Sequence, residues 1–202
     1  MSRFLSSLFR AGPTLLRAGH PLLRAKAQPI AATQLNSAEV KRVVADMSQV
    51  FKTSRTPVVG LAAPQIGQSL RLVAIELTHK PFLAQRKLEA RPLTFLVNPK
   101  VTLLSPPRTA SAPTASTPDW PIEYESCESV PGYSALVRRA NAVMLEATTL
   151  DGTPIREKHS GYMARVLQNV TDMLDGVLIM DRMVPKSLRH DIYIDQYDMV
   201  VR

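Results

Sequence analysis

Cysteine is almost missing from this 202-residue chain: Cys127 stands alone, which rules out an internal disulfide framework and fits a reducing compartment. No stretch approaches the roughly 18 uninterrupted apolar residues that a membrane-crossing helix needs, so no transmembrane segment is expected. Basic side chains are not interleaved with aromatics, which make up 5% of the residues. The excess of 25 Lys and Arg over 17 Asp and Glu therefore does not point to direct nucleic-acid recognition. No internal repeat is visible. What is present, 45% hydrophobic and 21% charged residues, is enough to bury a core and excludes a disordered or fibrous chain.

Acidic residues are also missing from the start of the chain, the first being Glu39. Arg3, Arg10, Arg17, Arg24 and Lys26 carry five of the charges that make up the formal +8, and without them +3 remains. Between them lie Phe4, Leu5, Leu8, Phe9, Leu15, Leu16 and several serines. An Arg-rich, Ser-containing, acid-free stretch of this kind has the pattern of a mitochondrial transit segment. Residues 1 to 17 are expected to form it, which places the protein in the mitochondrial matrix.

The remainder divides by periodicity. Val40, Val43, Val44, Met47, Val50 and Phe51 recur at helical spacing and predict a helix over Asn36 to Thr53, with Asn36 and Glu39 as a capping box. Val58 to Gly67 is a glycine-bounded run of small residues before a strand over Leu70 to Leu77. Strands are expected at Leu93 to Val97 and Val101 to Leu104, on either side of Asn98-Pro99. Ser105 to Asp119, dominated by Pro, Ser, Thr and Ala, reads as an exposed inserted loop. Tyr133 to Arg138 and Ala142 to Leu150 are strand-like, and Asp151-Gly152 turns into a strand from Thr153 to Glu157. Ser160 is placed to cap a helix carrying Met163, Val166, Leu167, Val170 and Leu174 on one face, ending near Gly176. Val177 to Met180 is apolar, and a charged tail rich in tyrosine runs from Arg189 to Arg202.

Gly60-Leu61-Ala62-Ala63-Pro64-Gln65, Glu125-Ser126-Cys127-Glu128-Ser129 and the helix that follows Ser160 together resemble the peptide deformylases, in particular their mitochondrial branch. Gly60-Leu61-Ala62-Ala63-Pro64-Gln65 is similar to the family's glycine loop ending in Gln, with Val58 where the family has its leading glycine. Glu125-Ser126-Cys127-Glu128-Ser129 is similar to its Glu-Gly-Cys-x-Ser strand, with Ser126 replacing the glycine. Gly19-His20-Pro21-Leu22-Leu23-Arg24 and Asp175-Gly176-Val177-Leu178 extend the likeness across residues 18 to 184. The resemblance implies an α+β fold with antiparallel sheets packed around a central helix at about residues 160 to 175. Residues 185 to 202 would form a C-terminal tail.

The third family motif, His-Glu-x-x-His on that helix, is altered. Aligning Arg165 to Gln168 and Leu174 to Gly176 without a gap puts Asn169, Val170 and Met173 where the family has His, Glu and His. In the family a cysteine thiolate and two histidines one helical turn apart hold a divalent ion, which lowers the pKa of its water from about 15.7 to about 7. Asn169 and Met173 are poor donors for such an ion, and Val170 carries no proton. Of the ligand set only Cys127 is retained, so neither a metal nor another cofactor is expected. Gln65, Cys127 and Glu128 remain at family positions. Gln65 and the backbone at Glu128 match the groups that hold the formyl oxygen, and Asp172 and Glu125 read as structural.

From the altered motif follows the expectation of a catalytically inactive protein, a structural or binding subunit of a larger mitochondrial assembly such as the mitoribosome or a respiratory complex. Two other readings stay open: an active metal-dependent deformylase acting on N-terminal formyl-methionine, and a formyl-peptide binder without hydrolysis.

Overall fold

The computed structural model describes residues 12–104 and 120–196. The inserted loop expected at Ser105 to Asp119, most of the expected transit segment and the last six residues of the tail lie outside the described residues.

Strand β2 (Leu72–Leu77) shows how the molecule is layered. Side chains alternate across a strand, and here both faces are apolar. Leu72 and Ala74 enter one core with Leu61 and Val97, while Val73 and Ile75 enter a second with Ala62 and Leu96. The sheet therefore lies between two cores. It has five antiparallel strands in the order β1 (Gly60–Ala62), β2, β3 (Arg91–Leu104), β6 (Ala142–Thr148), β7 (Pro154–Ser160).

On one side of this sheet packs α1 (Ala38–Thr53), through the fully buried Val43 and Met47 together with Val40 and Val50. Its cap is Ser37 and not the expected Asn36: the Ser37 hydroxyl accepts from the Val40 N–H at 3.2 Å. On the other side packs α3 (Gly161–Leu174), whose Ala164, Leu167, Val170, Met173 and Leu174 are all buried. Beyond it a second, three-stranded antiparallel sheet runs β4 (Ile122–Ser126), β5 (Tyr133–Arg138), β8 (Arg189–His190). The short helices α2 (Lys80–Arg86), α4 (Ile179–Arg182) and α5 (Ile192–Gln196) lie outside the sheets. This is the expected α+β arrangement of antiparallel sheets around a central helix.

The two strand segments expected around Asn98-Pro99 are one strand, β3, with an irregularity between Val97 and Lys100. Asn98 takes a left-handed conformation there (φ +49°), which asparagine tolerates better than most residues. Its side chain accepts from the Ile30 N–H at 2.9 Å and donates to the Ile30 carbonyl at 2.8 Å. The kink lets β3 pair with β2 at one end and with β6 at the other.

The ordered packing also begins earlier than the expected boundary at residue 18. Leu15 and Leu16 pack against the two cores. The Leu16 N–H donates to the Gln65 carbonyl, and the Ala18 N–H to the Ser129 carbonyl, both at 2.8 Å.

Candidate functional site

Gln65 sits in a 3-10 turn (Ala63–Ile66) that directly follows β1 and is closed by Gly67 in the left-handed region (φ +80°). The turn sends its side chain inward, 2% exposed. The Gln65 carbonyl Oε1 accepts from the Ala62 N–H at 2.9 Å, which fixes the amide's orientation. Its Nε2 then donates to Ser129 Oγ at 3.3 Å and to Cys127 Sγ at 3.7 Å. Structure thus brings together Gln65 and Cys127, two residues 62 positions apart that the sequence singled out separately.

Cys127 follows β4 at the head of a tight turn in which the Val130 N–H donates to its carbonyl at 2.8 Å. It is buried, and burial, with smaller contributions from the Glu128 and Glu125 charges, pushes its thiol up to about 11 against partial relief from hydrogen bonds at Ser129. At neutral pH it is a protonated thiol. Burial also raises the Glu128 carboxyl above its ordinary value, opposed by the Arg17 cation. Arg17 donates to the Glu128 backbone carbonyl at 2.5 Å, so the N-terminal segment braces the turn that carries Cys127.

The three altered positions lie on α3. Val170 and Met173 are 2% and 1% exposed and belong to the same buried cluster as Cys127. Gly60 of β1 approaches this helix so closely that a Cβ there would stand 2.7 Å from Val170 Cγ1 and 3.2 Å from Val166 Cγ1. Asn169 is partly buried, its Nδ2 donating to Glu125 Oε2 at 3.4 Å.

That carboxylate leads to a charged network beside the helix. Arg139 donates from Nε to Glu125 Oε1 at 3.1 Å and from Nη2 to Oε2 at 3.0 Å, while its Nη1 meets Asp172 Oδ2 at 2.5 Å. Arg165 adds a contact to Glu125 at 2.9 Å, and Arg182 one to Asp172 at 3.3 Å. Burial works against the Arg139 cation, and Glu125 with Asp172 outweigh it and hold its pKa above the ordinary value. Glu125 and Asp172 are both held in this ion-pair network. Sequence reading missed Arg139, Arg165 and Gln168 as partners. The available signal was the spacing Arg165, Gln168, Asp172, which forms one polar stripe on an otherwise buried helix.

These residues do not fit the ion that the family's chemistry uses. Among the described residues no three His, Cys, Asp or Glu side chains form a group that could hold a metal. His20 caps a 3-10 turn through the Leu22 N–H, His159 contacts Glu157 at 2.9 Å, and His190 stacks between Tyr133 and Tyr193. His79 precedes α2.

Comparison with known proteins supplies the wider context. The family model described as polypeptide deformylase matches residues 13–189. A peptide deformylase of Dictyoglomus thermophilum is 32% identical over 173 residues, covering 86% of this chain and 94% of the relative. The mitochondrial peptide deformylase of Homo sapiens is 33% identical over 172 residues, covering 82% of this chain and 65% of its own length. Among solved structures, the Met-Ala-Ser-bound class I type b peptide deformylase of Acinetobacter baumannii superposes with a TM-score of 0.70 at 25% identity, over 87% of this chain and 100% of that one.

These relatives overturn the expectation of a catalytically inactive subunit of a mitochondrial assembly. They are named as peptide deformylases, which are enzymes. The error was to read three helix positions as a change of function. Missing donors specify what does not bind at one place, and they carry no information about a different role, whereas the likeness extends over nearly the whole fold. With the match covering residues 13–189, the chain belongs to the polypeptide deformylase family.

Proposed function

We propose that the protein is a peptide deformylase that releases formate from the formylated N-terminus of a polypeptide. The observation that carries this reading is the family match over residues 13–189, together with the Gln65 amide held beside Cys127 and Ser129. In the reaction water adds to the formyl carbon, the C–N bond breaks, and the amine departs with a proton as formate forms. Gln65 is the donor this chain offers a formyl oxygen, since the Ala62 N–H pins the carbonyl end of its amide and leaves Nε2 turned toward Cys127 and Ser129. Arg17 steadies the Glu128 peptide next to it.

The His-Glu-x-x-His motif is degenerate in this reading, with Asn169, Val170 and Met173 at its three functional positions, and none of them is assigned a step. Formyl-Met-Ala-Ser incubated with the full chain should yield equal amounts of formate and free peptide amine. Gln65→Leu should lower kcat/KM by roughly 10² to 10³, the usual loss on removing one donor to a developing oxyanion. Saturable binding without formate release would sink the proposal.

We also propose a mitochondrial matrix location. Support comes from the acid-free, Arg-rich stretch before Glu39 and from the human mitochondrial relative. No helix among the described residues is long and apolar enough to cross a membrane. Import of the full chain by isolated mitochondria, lost when Arg3, Arg10 and Arg17 are changed to Glu, is the expected result.

A further inference from the structure

We propose that Cys127 holds no divalent ion, and that the lack of imidazole donors at positions 169 and 173 is what withholds one from it. The inference concerns how the proposed reaction is run and stands or falls separately from it.

Each neighbour of the sulfur argues the same way. Gln65 Nε2 donates toward Cys127 Sγ at 3.7 Å. Val170 and Met173 belong to the buried cluster that contains Cys127, and neither is a good donor for such an ion. Asn169 uses its amide N–H on Glu125 at 3.4 Å. The two carboxylates that might have served instead are committed: Glu125 to Arg139 and Arg165, Asp172 to Arg139 and Arg182. A thiol, a thioether and a neutral carboxamide oxygen are together a poor set for iron or zinc, which favour thiolate with imidazole or carboxylate.

Support for a ligand is nonetheless present. Glu125, buried and fixed by two guanidinium groups, already accepts a hydrogen bond from the side chain at 169. An imidazole there would find the carboxylate partner that orients metal-bound histidines elsewhere. Position 173 lies four residues on, on the same face of α3.

The test titrates the full chain with Co²⁺ anaerobically, reading the thiolate-to-cobalt absorption band, with metal content measured after dialysis. Wild type should show no band and far less than one ion per chain. Asn169→His/Met173→His should bind Co²⁺ at least 100-fold more tightly, with a band that Cys127→Ala removes. A stoichiometric ion retained by wild type and lost in Cys127→Ala would overturn the inference. So would a double variant with unchanged circular dichroism that binds no better than wild type. Deformylation measured on the same samples keeps the two proposals apart. Turnover by ion-free wild type, indifferent to 1,10-phenanthroline, supports both. Turnover that needs added Fe²⁺ overturns only this inference, and no turnover with or without ions overturns only the proposed function.

Discussion

Cys127 and Gly60 are the residues whose behaviour departs most from their type. A thiol with a folded-state pKa of about 11 binds its proton more tightly in the native than in the unfolded chain, where the value is near 9. Stability is then unaffected below the unfolded value and is lost as pH rises from about 9 to 11, by roughly 2 to 3 kcal/mol in all. Urea unfolding of wild type and Cys127→Ala across that window should converge by this amount. At Gly60 the constraint is steric. Gly60→Ala should cost about 1 to 3 kcal/mol by overpacking against Val170. Adding Val170→Ala should recover much of it, so a double-mutant cycle should return a clear coupling energy. Neither effect is written in the local sequence: the neighbours that cause them are 110 positions from Gly60 and, for Cys127, an entire enclosing core.

At the scale of elements, α3 is the member on which the rest depends. Its apolar stripe was legible, because Leu167, Val170 and Leu174 repeat at helical spacing. Its polar stripe was not, since Arg165, Gln168 and Asp172 look like an ordinary solvated face until the second sheet covers them. Gln168 shows what that face does. Its Oε1 accepts from the Ala140 N–H at 3.0 Å, and its Nε2 donates to the Ala140 carbonyl at 2.9 Å, closing the backbone where β5 gives way to β6. Gln168→Leu leaves both groups buried without partners and should cost about 2 to 3 kcal/mol. Hydrogen exchange at the Ala140 amide should speed up accordingly. Asn98 is a similar case: Asn-Pro marked a break between two strands, and the fold uses it as a kink within one, because the side chain replaces the missing ladder bonds through Ile30.

Over the whole molecule, the fold closes only when the segment before residue 18 is included. Leu16 and Ala18 donate to the carbonyls of Gln65 and Ser129, so this strand-like segment ties the glycine loop to the Cys127 turn. A chain starting at Gly19 should be about 3 kcal/mol less stable than one starting at Gly12, a drop of roughly 6 to 12 °C in Tm by calorimetry. Arg17, which the charge pattern places in the expected transit segment, also donates to the Glu128 carbonyl, and composition does not reveal that second use of an arginine.

Sequence by itself determined the family, the α+β class, the placement of α1 and α3 and the identity of the side chains at positions 169, 170 and 173. These are matters of period and of residue type, which a linear string records directly. Tertiary structure alone decided that Gln65 meets Cys127, that Gly60 has room for nothing larger, and that Glu125 and Asp172 are bound to Arg139. Such facts depend on which distant backbones approach and what they enclose, and burial, the quantity that sets both the thiol's pKa and the worth of each ion pair, exists only once the chain has closed around them.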